Sequence, residues 1–329
     1  MIRCASTPTE PATQQHRRFL SGGKILPGPS CSGRHKAGAW GQPIIISPLI
    51  SQRKTSERGD SVTRNPAHRS NNARPRPQLS IPTLGTTLRL IRDDLGLSRF
   101  TARDRHGISA SYLFEIETDR YVPKLETLET IIDGYKVDSL LGRHLRELRA
   151  PAEDLAPTDK LRHCVTGNVD WISHLDDLER RGVFAAYVDP MWNILACNNL
   201  FRSALPSIEK TDSIPTWIFS PVAQKVFVDW NREAAHSVAY NKAILGIYRN
   251  SQQARDLIRQ LGPNKECRRL WAASLAVNYG RDTDDLLHHR DITTGELRSY
   301  RISIAPQTEA LDVYLVTAIG KPYSGPPVP

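Results

Sequence analysis

The sequence holds few residues whose types and spacing could make or break bonds. His288 and His289 stand beside Asp282, Asp284 and Asp285, residue types that could bind a metal or transfer protons. Adjacent histidines on a regular strand or helix cannot both face one ligand, and no H-E-x-x-H spacing accompanies them. This run is expected to be a solvated charged loop. No G-x-S-x-G, P-loop or G-x-G-x-x-G fingerprint occurs, so an enzyme, a cofactor and a bound metal are all unexpected. Cys4, Cys31, Cys164, Cys197 and Cys267 are odd in number, scattered and free of C-x-x-C spacing. That pattern argues against a disulfide framework or a structural zinc and for a reducing, cytoplasmic setting. The other conspicuous set is aromatic: Trp171, Trp192, Trp217, Trp230 and Trp271 all lie in the second half of the chain. Two readings stay open for them, core filling and an aromatic-lined pocket for an apolar ligand.

These residues need elements to hold them. A chain of 329 residues allows about two domains. Its longest apolar stretches, Pro43–Ile50 and Val313–Ile319, fall short of the ~20 residues that span a bilayer, so no membrane segment is expected. The formal charge of +9 is unevenly spread. Residues 1–82 hold thirteen basic and three acidic residues, and the remainder is close to neutral. The basic balance is therefore no argument that the folded part binds nucleic acid. Residues 1–82 are rich in Pro, Gly, Ser and Arg without a period and are expected to be a disordered basic tail. No apolar run of secretory type follows Arg3.

From Thr83 the pattern turns helical. Leu84, Leu88, Ile91 and Leu95 form one stripe, which Gly96 ends. Ser98 caps a second helix to about His106, Gly107 supplies a turn, and Ser109 caps a third helix with Leu113 and Ile116 facing inward beside Ile108. Pro123 suits the first turn of a fourth helix carrying Leu125, Leu128, Ile131 and Ile132, with Gly134 near its end. Leu141, Leu145 and Leu148 line a fifth. Two short helices about a tight glycine turn inside a small bundle make a helix-turn-helix.

Gly107-Ile108-Ser109-Ala110-Ser111-Tyr112-Leu113-Phe114-Glu115-Ile116-Glu117 resembles the turn and recognition helix of the Cro/repressor (XRE) class, and Pro123-Lys124-Leu125-Glu126-Thr127-Leu128 is similar to that family's fourth-helix entry. Ala102, Arg103 and His106 depart from the usual pattern, which predicts looser packing between the second and third helices. The resemblance implies double-stranded DNA as partner, with the third helix in the major groove. Ser109, Ala110, Ser111, Phe114 and Glu115 then face the bases, and Arg99, Arg120 and Lys124 the phosphates, while Glu117 supports the local fold. A helical protein-interaction adapter is the alternative, because the unit is not net basic.

Residues 151–182 are expected as a linker and 183–320 as a mixed α/β unit. Val183–Val188 and Trp192–Cys197 are strand candidates, as are Ser299–Ile304 and Val313–Ile319. Asn198–Leu205, Lys225–Arg249, Ser251–Leu261 and Lys265–Val277 are expected helices. The arrangement suggests one antiparallel sheet with helices on one face. Met191–Asn198, Trp217–Pro221, Asp229-Trp230, Cys267–Trp271 and Val313–Ala318 resemble segments of the MmyB-like, PAS-like ligand-binding domain. That resemblance implies a small apolar, fatty-acid-like ligand, with Trp192, Trp217, Phe219, Trp230 and Trp271 as its candidate pocket. Residues 321–329 are expected as a frayed tail. A multidomain regulator follows: an all-α helix-turn-helix bundle at 83–150, then an α/β PAS-like sensor. A second copy of the chain, in a homodimer, is a further candidate partner.

Overall fold

The computed structural model describes residues 79–328 except 283, 308 and 309. Most of the expected basic tail lies outside these residues. The helix-turn-helix bundle comprises α1 (Leu84–Asp94), α2 (Arg99–His106), α3 (Ala110–Glu117), α4 (Leu125–Tyr135) and α5 (Ser139–Arg149). Its caps are the short polar residues read from the sequence. Ser98 and Thr101 exchange a reciprocal capping box, and Ser109 Oγ accepts from Tyr112 N. Gly107 ends α2 at φ +71°, the left-handed region that glycine enters without a Cβ penalty.

One detail differs from the sequence reading. Pro123 lies just outside α4, whose N-cap is Lys124, and the Pro123 carbonyl accepts from Arg149 Nε at 2.8 Å. Gly134 stands near the end of α4 as expected, one residue before Tyr135. It marks the crossing of α2 over α4: a Cβ there would stand 2.8 Å from both the Arg105 carbonyl oxygen and His106 Cβ. The expected loosening around α2 is absent. Ala102 is fully buried and His106 packs edge-on to Tyr135 at 5.2 Å, its Nδ1 accepting from Ile108 N.

Residues 151–182, expected as a linker, carry two helices, α6 (Thr158–Gly167) and α7 (Val169–Arg180). Leu161, Val165 and Leu175 are buried because they cover a sheet face. That sheet has five antiparallel strands in the order β2-β1-β5-β4-β3. They are β1 (Phe184–Val188), β2 (Ile194–Cys197), β3 (Leu287–Arg290), β4 (Leu297–Gln307) and β5 (Ala310–Pro322). Side chains alternate across it. Ala185 and Tyr187 face α6 and α7, whereas Ala186 and Val188 face the opposite layer. The sheet is therefore covered on both faces at its β1 end, not on one.

The opposite layer holds α8 (Asn199–Ala204), α9 (Ile214–Ile218), α10 (Ala223–Val226), α11 (Trp230–Ile247), α12 (Gln252–Leu261) and α13 (Lys265–Ala273). The helix expected over Lys225–Arg249 breaks at Phe227, which forms a bridge to His289. The helix expected to reach Val277 stops at Ala273, where Lys242 Nζ donates to the Trp271 carbonyl at 2.9 Å. His288 and His289, expected in a solvated loop, lie in β3, and His289 is buried. Lys321 and Pro322, assigned to the frayed tail, continue β5, and Tyr323 packs its ring on His288. Among the described residues no helix is long and apolar enough to cross a membrane.

Candidate DNA-reading helix and ligand cavity

Helix α3, the candidate reading helix, is fixed from behind by buried charge. The Glu117 carboxylate has no exposed side-chain surface and receives Arg92 Nη2 at 2.9 Å and Arg99 Nε at 2.8 Å. From the loop that follows, Asp119 sits at φ +55° and accepts from Gly85 N at 2.8 Å and Thr83 Oγ1 at 2.6 Å. A Cβ at Gly85 would stand 2.3 Å from the Ile116 carbonyl oxygen, so α1 and α3 touch backbone to backbone. Leu113 and Ile116 fill the core between them.

The outer face of α3 carries the expected readers. Ser109 and Ser111 are exposed, and Ala110, Phe114 and Glu115 are half-buried. Phe114 lies between two guanidinium groups, Arg99 at 5.0 Å and Arg120 at 5.4 Å from its ring centre. Glu115 Oε1 is 3.7 Å from Arg120 Nη1. Arg99, expected at the phosphates, is thus a bridge from Glu117 to Phe114, while Arg120 and Lys124 are exposed. Phe100 on α2 is 80 % exposed and Val122, in the loop after α3, is 62 % exposed, although nothing in the sequence singles them out. Their signal is weak: apolar residues off the core stripe.

The second unit holds a partly open cavity of about 150 Å³ between the sheet and the helical layer. Phe184, Tyr300, Ile302 and Val316 form its floor, α8 and α9 contribute Phe201 and Ile218, and α11 contributes Glu233, His236, Ser237, Tyr240 and Asn241. Of the five aromatic residues expected there, only Trp192 lines it. Trp192 holds φ +59°, a conformation costly for a bulky residue, and its ring meets Tyr240 edge-on at 5.7 Å. Of the others, Trp217, Phe219 and Trp271 are buried in the core and Trp230 is half-buried against it. Trp217 Nε1 donates to the Pro206 carbonyl at 2.8 Å, and Trp230 Nε1 to that of Ile218 at 2.7 Å. Phe219 packs edge-on to Trp230, and Trp271 is buried with Lys242 Nζ 5.1 Å from its ring centre. Trp171, grouped with them by position, stacks on Tyr187 beyond the sheet.

Helix α11 joins the two units. Its first half walls the cavity, and its second half packs on α5. A Cβ on Gly246 would stand 2.6 Å from His144 Cε1 and 3.0 Å from Leu148 Cδ2. Ala243 and Val277 belong to the same buried cluster as Leu88, Leu128 and Leu145. Arg143 stacks 3.7 Å from the Tyr279 ring centre, and the Tyr279 hydroxyl donates to Glu147. Burial and the nearby Lys242 push the His144 imidazole down to about 4, and burial lowers the Lys242 ammonium to about 8.

Comparison with known proteins agrees with both units. Residues 83–139 match a helix-turn-helix domain, and residues 175–321 match the MmyB-like transcription regulator ligand binding domain. The chain is 36 % identical over 62 residues to the immunity repressor protein of Bacillus phage phi105, covering 18 % of this chain and 43 % of that protein. The chain thus spans less than half the length of this curated relative. The protein carries a Cro/repressor-type helix-turn-helix domain and, behind it, an MmyB-like transcription regulator ligand-binding domain.

Proposed function

We propose that the protein is a cytoplasmic, sequence-specific DNA-binding transcriptional regulator whose DNA affinity is set by a small apolar ligand in the cavity. In this reading α3 lies in the major groove with Ser109, Ala110, Ser111 and Glu115 at the base edges. Arg120 and Lys124 reach phosphates. The observation that supports ligand control is the double role of α11, one helix of 18 residues with Ser237 and Asn241 on the cavity and Gly246 against His144 of α5. A regular helix moves as a body. A ligand that shifts its cavity end therefore shifts the surface on which the DNA-binding unit rests, by no more than its differential affinity for the two arrangements.

Selection of duplexes from a random pool by the full chain tests the DNA half, and failure to enrich any motif refutes it. The control half is tested by the affinity for the enriched duplex with and without a saturating apolar probe. An unchanged affinity refutes it. Gly246→Ala wedges α5 away from α11 without touching the cavity and should itself change DNA affinity. The adapter reading draws on the exposed Phe100 and Val122 of the helix-turn-helix unit. A DNA affinity that ignores salt would favour it, because phosphate contacts release counterions.

A further inference from the structure

One wall of the cavity is built from charges already paired with one another. Glu233 and Arg281 line the cavity with side chains 4 % and 8 % exposed, and they form a direct ion pair. On the solvent side Arg232 Nη2 lies 2.8 Å from Glu233 Oε1, and Arg232 Nη1 lies 2.9 Å from Asp285 Oδ1. Asp285 Oδ2 lies 3.3 Å from Arg281 Nη1, which closes the ring. Asp229 Oδ2 also lies 3.9 Å from Arg232 Nε on the solvent side. Of this network only Glu233 and Arg281 line the cavity, and those two charges cancel.

The histidines of the wall add no charge. His236 Nδ1 is 3.2 Å from the Asn278 side-chain nitrogen, and His289 Nε2 is 2.9 Å from the Ala204 carbonyl oxygen. Burial lowers the titration of both. A carboxylate entering this site would be an anion beside a balanced set with no spare cation, and an ammonium would be its mirror image. A buried charge without a partner is strongly disfavoured. For a neutral polar group the wall does have partners. The buried Asn241 amide donates to Ser237 Oγ at 3.4 Å, which leaves the serine proton and the amide oxygen to donate and accept. The volume, about 150 Å³, matches cavities that hold a benzene-sized molecule.

We infer that the ligand of this domain is uncharged: a short aliphatic or aromatic molecule ending in a hydroxyl or carbonyl group, neither a free fatty acid nor an amine. This rests on the reading of the cavity as the ligand site.

Thermal unfolding of the full chain at neutral pH, with tryptophan fluorescence as second readout, would compare octan-1-ol, octanoate and octylamine. Octan-1-ol should stabilise at a concentration at least about tenfold below either charged probe. Glu233→Gln leaves a net positive charge and should turn the preference toward octanoate. Arg281→Gln leaves a net negative charge and should turn it toward octylamine. Octanoate binding the unaltered protein as tightly as octan-1-ol would overturn the inference while leaving the cavity a ligand site. An order of preference unmoved by both substitutions would also overturn it. If no probe shifts the unfolding temperature, the cavity reading falls and the inference with it.

Discussion

Glu117→Ala is the substitution whose cost the geometry defines best. The carboxylate is the shared acceptor of Arg92 and Arg99, and the Arg92 side chain is only 7 % exposed. Breaking a buried ion pair by deleting one partner costs about 3–5 kcal/mol, because the surviving charge is left without its counter-ion. Two contacts soften that figure. Arg92 Nη1 also lies 2.6 Å from Asp93 Oδ1 and 2.7 Å from the Leu97 carbonyl oxygen. Arg99 is about one-third exposed, so it can turn to water at little cost. The expected loss is therefore near the lower limit, about 3 kcal/mol. At roughly 2–4 °C per kcal/mol, the unfolding temperature should fall by about 6–12 °C. Circular dichroism on heating reads this directly. The double variant Arg92→Met with Glu117→Leu removes both charges and should recover most of the loss, since an apolar pair of similar volume replaces a buried ion pair well. A Glu117→Ala loss under about 1 kcal/mol, or a double variant weaker than the single one, would refute the argument.

Gly134→Ala forces a methyl to within 2.8 Å of the Arg105 carbonyl oxygen and should lower the denaturant midpoint by the equivalent of about 1–3 kcal/mol; an unchanged midpoint would show that α2 and α4 separate freely. Trp217→Ala should cost about 3–5 kcal/mol by leaving a hole in the core, yet weaken an apolar probe less than Trp192→Ala does, which a thermal-shift titration of both variants decides. Glu115→Ala should change the selected base at one position by ~1–3 kcal/mol, whereas Lys124→Ala should weaken all duplexes and reduce the salt slope by about one unit, both read by binding isotherms on enriched duplexes. His144 is held near 4 in the fold against an ordinary 6.5, so between those values the unfolded chain takes up a proton that the folded one does not. Stability should fall by up to about 3 kcal/mol as the pH drops through that window, and His144→Leu should flatten this limb of the denaturation profile.

The helix-turn-helix is legible in the sequence because its information is local. Apolar residues at helical spacing, Ser98 and Ser109 as caps, and Gly107 in the left-handed region each act within a few residues. Why glycine is needed at 134 is not legible for the complementary reason: the element that forbids a side chain there, α2, lies about thirty residues earlier in the chain. In residues 151–182 the spacings Leu161/Val165 and Trp171/Leu175/Leu178 are present, but the Pro-rich stretch before them hides the start of α6. The cavity is the least legible part. Its lining comes from β1, α8, α9, α11, β3, β4 and β5, whose contributions show no common period. Counting tryptophans points to the wrong rings, because an indole N–H must find an acceptor. Trp217 and Trp230 are held where the carbonyls of Pro206 and Ile218 are, inside the packed layer, not at a void.

Helix α11 explains why the junction of the two units is also hidden. A helix on a surface announces its buried stripe, but α11 is buried from more than one side, with Glu233, Ser237, Asn241 and Lys242 as inaccessible as Ala234, Ala243 and Leu245. Its sequence therefore mixes polar and apolar residues around the whole circumference, and no periodicity separates the face toward the cavity from the face toward α5. The polar residues are tolerated because each is satisfied by a specific partner. Glu233 closes the ion ring, Asn241 meets Ser237, and Lys242 caps the end of α13. The small residues serve the other side, where Gly246 and Ala243 let α5 approach closely. A helix constrained in this way has little freedom to move without moving its neighbours. This packing is what the proposed ligand control draws on: in that reading, an occupant that alters the position of α11 displaces its contacts with His144 and Leu148 of α5, on which the bundle that holds α3 rests.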